Sequence, residues 1–301
     1  MGIYVEILVR APLDTLWAHT QKPSLHEQWD LRFSTIDYLP KAAGTGLQRF
    51  RYTTRIGFGL DVRGDGETIG ERNLADGSRS SALKFASKQP ASLIREGRGY
   101  WKYIPTPNGI RFLTWYDYGT RFGAVGAAFD RLIFRPLLGW ATAWSFDCLR
   151  LWLEEHKRPA DAIRQTIVHA ATRITLAAIF AYQGLVPKLL TRSADEVTLV
   201  RDAGVPAMLA DVAVTALGLV ELAFAAALLV RWRQRWPAVV GGIAVSIATL
   251  VVAVCSPRFF QPAFNPFSLN LGVAALALVD WTVLPDIPSA ARCLRHPEEH
   301  S

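Results

Sequence analysis

Residues 236–254, WPAVVGGIAVSIATLVVAV, run without a single charged side chain. A bilayer core about 30 Å thick is crossed by roughly 20 helical residues. Lipid offers the backbone no hydrogen-bond partners, so such a stretch is a helix or it is not in the membrane. Three further segments resemble it in length: Thr166–Leu190, Pro206–Val230, where Asp211 and Glu221 are the only charges, and Pro266–Leu284, with Asp280 near its end. A soluble helical bundle would need polar faces, and these segments have almost none. Trp232, Trp236 and Trp281 fall at segment ends, where interfacial aromatics sit. The expectation is an all-α four-transmembrane-helix bundle over residues 162–288, with spans at about 166–190, 206–230, 236–254 and 266–284.

Flanking basic residues orient the bundle. Lys157, Arg158 and Arg164 precede the first span, Arg231, Arg233 and Arg235 fill the second loop, and Arg292 and Arg295 follow the last span. The other side holds Lys188, Arg192, Arg201 and Arg258. The more basic side faces the cytoplasm, which puts both termini and the N-terminal half there, in a multi-pass protein of the cytoplasmic membrane. The first ten residues carry Glu6 and Arg10 in a strand-like pattern, so no cleavable signal peptide is expected. Cys148, Cys255 and Cys293 show no metal-ligand or disulfide spacing and read as small buried hydrophobes. The net charge of +7 is spread around the apolar segments rather than interleaved with stacking aromatics, which argues against nucleic acid.

Glu221 lies deep in its segment, and an ionisable residue there is a functional candidate with a partner to be found. Arg173, a turn or two inside the first span, is the expected partner, with His169 one turn earlier on the same face. Lys188 is expected to reach outward to the far interface. The alternative is that Glu221 and Arg173 only hold two helices together. "AYQGLVPKLL" at 181–190, the intramembrane Glu221 and "FNPFSLN" at 264–270 resemble the DoxX-like family of small four-helix membrane proteins over roughly residues 165–285. The resemblance marks Gln183, Lys188, Glu221, Asn265 and Asn270 as positions of interest. It also implies a link to quinone-coupled oxidation, in which the founding group is an accessory subunit. His169 is the only histidine inside the segments, which argues against an integral haem.

The first half of the chain has another character. "IYVEILVR" at 3–10 alternates as a half-buried strand, and "APLDTLWAHT" and "PSLHEQWD" read as short helices. Six strand-like runs follow: "LQRFRYTT", "GFGLDVRG", "GETIGER", "SALKFASK", "LIREGRGYWKYI" and "IRFLTWYDY". Turn signals at Gly57, Asp65-Gly66, Asp76-Gly77, Gln89-Pro90 and Pro107-Asn108-Gly109 separate them into an antiparallel meander. A long helix over about Phe122–Glu155 closes the half, with Pro136 set to kink it. Within it, "RLIFRPLLGW" at 131–140 reads as the core face of the helix in preference to a contact with anionic lipid.

This order, with "VRAPLDTLWAHTQKPSLHEQWD" and "DCLRLWLEEH" at its ends, resembles the START-like superfamily, also called SRPBCC or polyketide cyclase-like. The resemblance covers residues 1–157 and implies an α+β helix-grip domain, a curved sheet around the last helix with an apolar ligand cavity. Tyr52, Trp101, Tyr103, Trp115 and Trp140 are the candidates to line it. There is no phosphate loop, G-x-S-x-G or metal-ligand cluster, and Asp61, Glu67, Glu96 and His26 are scattered, so no catalytic residue is assigned.

The sequence therefore reads as a cytoplasmic domain binding a lipid, isoprenoid or quinone-like molecule, joined to a membrane anchor. Two alternatives stay open: an accessory subunit or enzyme of a quinone-linked redox system, and a non-catalytic or stress-related scaffold. No metal or cofactor is called for beyond a quinone or lipid ligand. A homo-oligomer or a redox partner subunit remains open.

Overall fold

In the computed structural model, residues 2–41, 47–57, 59–284 and 287–297 are described. The chain falls into two compact units: Met1–Ala162 with Pro288–Ser301, and Ile163–Ile287.

The first unit is built on one antiparallel sheet of seven strands: β1 (Ile3–Val9), β2 (Thr35–Tyr38), β3 (Gln48–Gly57), β4 (Leu60–Asn73), β5 (Arg79–Ala86), β6 (Ile94–Thr106) and β7 (Gly109–Thr120). Their order is β1-β7-β6-β5-β4-β3-β2, a meander closed by the first strand pairing with the last. Helices α1 (Leu13–Gln21) and α2 (Pro23–Trp29) leave β1 before the meander starts. The hairpin turns expected at Asp76-Gly77 and Pro107-Asn108-Gly109 are present, and Gly77 (φ 79°) and Gly109 (φ 137°) supply the backbone conformations that side chains resist.

The turn expected at Asp65-Gly66 is absent, because both residues lie inside β4, a single strand of 14 residues. Gly64 and Gly66 stand opposite Tyr52 and Phe50 of β3, and the two rings lie over them. A Cβ at either position would overlap its ring, so these glycines make room rather than bend the chain. Strand β2 carries no clear alternation and had no sequence signal.

The long helix expected over 122–155 is three pieces: α3 (Gly123–Phe129), a π-helical turn at Asp130–Phe134, and α4 (Arg135–Glu155). Pro136 sits in the first turn of α4, where its missing N–H is least harmful, directly after the widened turn. On its inner face α4 grips the sheet. Phe146 stacks on Phe112 at 4.4 Å between ring centres, and Thr142 meets the Tyr116 hydroxyl at 2.8 Å. This is the helix-grip arrangement.

The C-terminal tail belongs to this unit. Ser289 N–H donates to the buried Asp147 carboxylate at 2.7 Å, and Cys293 Sγ lies 3.2 Å from the Ala143 carbonyl it donates to. Leu294 and Glu6 exchange two backbone hydrogen bonds of 2.9 Å. Cys148 and Cys293 are buried as expected, but Cys255 is exposed, since it closes an apolar helix whose outer side has no protein against it.

The second unit is helical: α5 (Pro159–Gln183) runs into it and continues as a π-helical turn at Gly184–Leu190, followed by α6 (Ala194–Asp202), α7 (Ala207–Val230), α8 (Trp236–Cys255) and α9 (Pro266–Val283). Helices α7, α8 and α9 are each long and apolar enough to cross a membrane. The stretch Pro159–Leu190 passes that test only together with α6, and the two meet at a bend of 97°. Pro187 explains the widened turn: it has no N–H to give the helix ladder.

Candidate functional site

Within the helical unit, two groups of charges are drawn inward. The first gathers around Lys188. Gly184 and Gly218 let the π turn and α7 approach so closely that a Cβ on either glycine would lie under 3 Å from the other's carbonyl. With the widened turn, this points Lys188 at α7 rather than outward. Its Nζ lies 3.1 Å from Glu221 and 3.3 Å from Glu196, and the residue is 7% exposed. Both expectations for this region are corrected. Glu221 pairs with Lys188, not Arg173, and Lys188 does not reach out to an interface. The Gln183 backbone carbonyl also accepts from Nζ, at 3.4 Å.

The second group lies around Asp280. Arg173 Nε is 2.8 Å from Asp280 Oδ2, His169 Nδ1 is 2.7 Å from Oδ1, and Thr172 donates to the same oxygen at 3.2 Å. His169, Arg173 and Asp280 are fully buried. The remaining ring nitrogen of His169 lies 3.0 Å from the Trp232 carbonyl, and Arg173 Nη2 donates to the Gln234 carbonyl. One carboxylate on α9 thus collects three side chains of α5, and two of them, His169 and Arg173, in turn hold the loop between α7 and α8. Arg173 Nη1 has no hydrogen-bond partner among the described residues. Sequence reasoning passed over Asp280, although it is the only carboxylate of its segment and the face at 169, 172 and 173 needs one. Of the other candidates, Asn265 caps α9 by accepting from Ser268 N–H at 3.0 Å, and Asn270 joins α9 to α8 by donating to Thr249 at 2.9 Å. Neither touches the two charge groups.

In the sheet unit, Tyr52, Trp101 and Tyr103 are buried on the inner face. Tyr103 is held by Thr20 and Gln21, and Trp101 packs edge-on against His26 and Phe112. Trp115 points to the opposite face, where it stacks on Tyr100, and Trp140 is 44% exposed. Neither lines the grip interior as expected. Strand alternation decides the first, because 112, 114 and 116 face inward and 115 must not. Trp140 lies on the exposed side of the helix.

The interior contains charges that the sequence did not connect. Asp30 is completely buried and takes both Arg32, at 2.6 Å, and His26, at 2.9 Å. Burial alone would raise the Asp30 carboxyl, but the Arg32 guanidinium, with hydrogen bonds from Arg32 and His26, holds it well below the usual carboxylate range. The Arg32 guanidinium lies over the rings of Phe33 and Tyr116. Next to Phe33, a hydrophobic cluster of Ile36, Phe50, Tyr52 and Phe85 packs on the inner face. Burial, and then the Asp65 charge, pushes the Tyr52 phenol up to about 12. An open groove of about 690 Å³ is lined by alternating charges such as Arg49, Glu67, Lys84, Glu96 and Arg98. Phe85 and Tyr118 also contribute to its lining, so its walls are mixed, charged and apolar, where the resemblance implies an apolar cavity. No cluster of three or more metal-ligating side chains occurs among the described residues.

Residues 177–278 match the DoxX-like family. A membrane protein of Bacillus subtilis (strain 168), YndG, is 54% identical over 183 residues, which are 60% of this chain and 68% of that one. The chain belongs to the DoxX-like family. Its Lys188–Glu221 pair and both asparagines fall inside the DoxX-like stretch, whereas His169, Arg173 and Asp280 flank it. Among solved structures, the sheet unit is similar to the human StAR-related lipid transfer protein 5 (14% identity, 50% of this chain and 75% of that one, TM-score 0.39). It is similar also to a STAR-related lipid transfer protein from Xanthomonas axonopodis (15% identity, 49% and 82%, TM-score 0.37).

Proposed function

We propose that this DoxX-like membrane protein binds a hydrophobic small molecule, of lipid, isoprenoid or quinone-like character, on the aromatic inner face of its helix-grip unit. One observation carries the reading. The apolar side chains of Phe33, Ile36, Phe50, Tyr52 and Phe85 cluster beside a buried polar group, the Arg32–Asp30 pair. A small-molecule site has this composition, mostly apolar surface with a few convergent polar groups that fix orientation. The helical unit then serves as membrane anchor.

The same reading takes the protein to have four membrane crossings, with both termini on the cytoplasmic side. Residues before α5 and residues after α9 belong to one compact unit, so the chain that leaves this unit also returns to it. A return to the starting side needs an even number of crossings. Helices α7, α8 and α9 supply three, and the bent α5–α6 stretch is left to supply the fourth.

The test is mass spectrometry of an organic extract from the full chain, purified in mild detergent, beside Phe33→Ala and Glu221→Gln variants. The reading expects an apolar compound in stoichiometric amount that Phe33→Ala depletes and Glu221→Gln retains. A compound lost only from Glu221→Gln would move the site into the helical bundle. An extract free of any specific compound would remove ligand binding altogether.

A further inference from the structure

The stretch from Phe122 to Trp140 has one buried side and one exposed side. Its inner side, with Gly126, Asp130 and Gly139, is buried. Its outer side presents Phe122, Val125, Phe129, Leu132, Ile133, Leu137 and Trp140 at helical spacing, and all seven are exposed, Val125 to 79% and Leu132 to 74%. The expectation that 131–140 is a core face is corrected here, because the core takes the other side of the helix. A contiguous apolar stripe of this size on a folded unit marks an interaction surface.

We infer that this outer stripe of α3 and the start of α4 lies in the headgroup region of an anionic bilayer, as a membrane contact separate from the spanning helices. Three features select lipid as the occupant. The charge is one-sided: Asp130, the only carboxylate between residues 121 and 140, points inward to Tyr118 and Arg135, while Arg131 is exposed beside the stripe. Arg292 and Arg295, also exposed, belong to the tail packed against α4, and Arg295 donates to the Pro136 carbonyl at 3.3 Å. The composition is that of an interfacial helix, with Phe, Leu and Trp on one face and arginine at its border. Reach is the third feature. Only His156, Lys157 and Arg158 separate α4 from α5, so a short link ties this unit to the unit whose α7, α8 and α9 are long and apolar enough to cross a membrane. The inference does not depend on any ligand in the grip.

The experiment uses the full chain, with Cys255→Ala to remove the exposed thiol, in nanodiscs of phosphatidylcholine with and without phosphatidylglycerol. Spin labels are placed by Leu132→Cys and, as a control on the β4–β5 hairpin, Leu74→Cys. The stripe label should be accessible to oxygen and shielded from a water-soluble nickel chelate, more strongly with phosphatidylglycerol, while the hairpin label stays open to the chelate. A stripe label as open to the chelate as the control overturns the inference. Exclusion of both reagents with spin–spin broadening would also overturn it, in favour of a second copy of the chain on this face. An Ile133→Glu/Leu137→Glu variant guards against misfolding artefacts: its thermal midpoint should match that of the unsubstituted chain, while the label at 132 becomes open to the chelate.

Discussion

With Asp280 replaced by Asn, Arg173 would stay fully buried and lose its counter-charge. Breaking a buried pair from one side costs about 3–5 kcal/mol. Asp280→Asn should therefore lower the thermal midpoint of the detergent-solubilised protein strongly. Asp211→Asn, at an exposed position near the start of α7, should leave it almost unchanged. Glu221→Ala should fall between, because Lys188 keeps Glu196 as a second partner. In the sheet unit, Asp30 titrates lower when folded than when unfolded. Its contribution to stability is present above the ordinary carboxylate range near pH 4 and disappears as pH falls through the depressed folded value. Acid unfolding followed by tryptophan fluorescence should begin at higher pH in the unsubstituted chain than in a double Asp30→Leu/Arg32→Met variant, relative to each protein's stability at neutral pH. Arg173, His169, Lys188 and Glu221 were singled out from the sequence but not with their partners, and Asp30, Arg32 and Asp280 were not singled out as site residues. Glu221 stood out because a charge in an apolar run is conspicuous, whereas its pairing depends on a helix turn that a residue pattern does not reveal.

The element that decides that pairing is the π turn at Gly184–Leu190 against α7. Two glycines in contact set how near the helices come, so Gly218→Ala forces a separation. Overpacking of this kind costs about 1–3 kcal/mol. Gly272→Ala, at a position with open space around it, is the control and should be neutral or slightly stabilising. Chemical unfolding of the two variants in one detergent tells them apart. The same comparison shows what periodicity can and cannot deliver. The strands β1, β5, β6 and β7 and the apolar helices were legible because their signal is local. The unity of β4 was not, since Asp65-Gly66 reads as a turn until Phe50 is known to lie across Gly66. The stripe on α3 and α4 was misread for a related reason: an apolar stripe on a helix does not tell whether the sheet covers it.

At the scale of the whole molecule, reporter fusions test the number of crossings. A phosphatase or fluorescent reporter placed at either terminus should report the same, cytoplasmic, side, and one placed in the α8–α9 connection the opposite side. Opposite readings for the two termini would mean an odd number of crossings. Truncation after Ile287 should destabilise the sheet unit although it removes no residue of the sheet, because Asp147 loses Ser289 and Arg292 and Cys293 leaves its site against α4. Thermal unfolding of the truncated chain beside the full one measures this.

The last residues also do something for solubility. The sheet ends at β1, and the far side of that strand is where Glu6 exchanges its two backbone hydrogen bonds with Leu294. A strand border left open recruits other strands, and short capping segments are one way that proteins prevent this. A laboratory fragment stopped near residue 157 would carry every strand and the gripping helix, yet it would expose that border along β1. Such a fragment should self-associate through it, and adding residues 288–297 as a separate peptide or through a short fused linker should return it to a monomer.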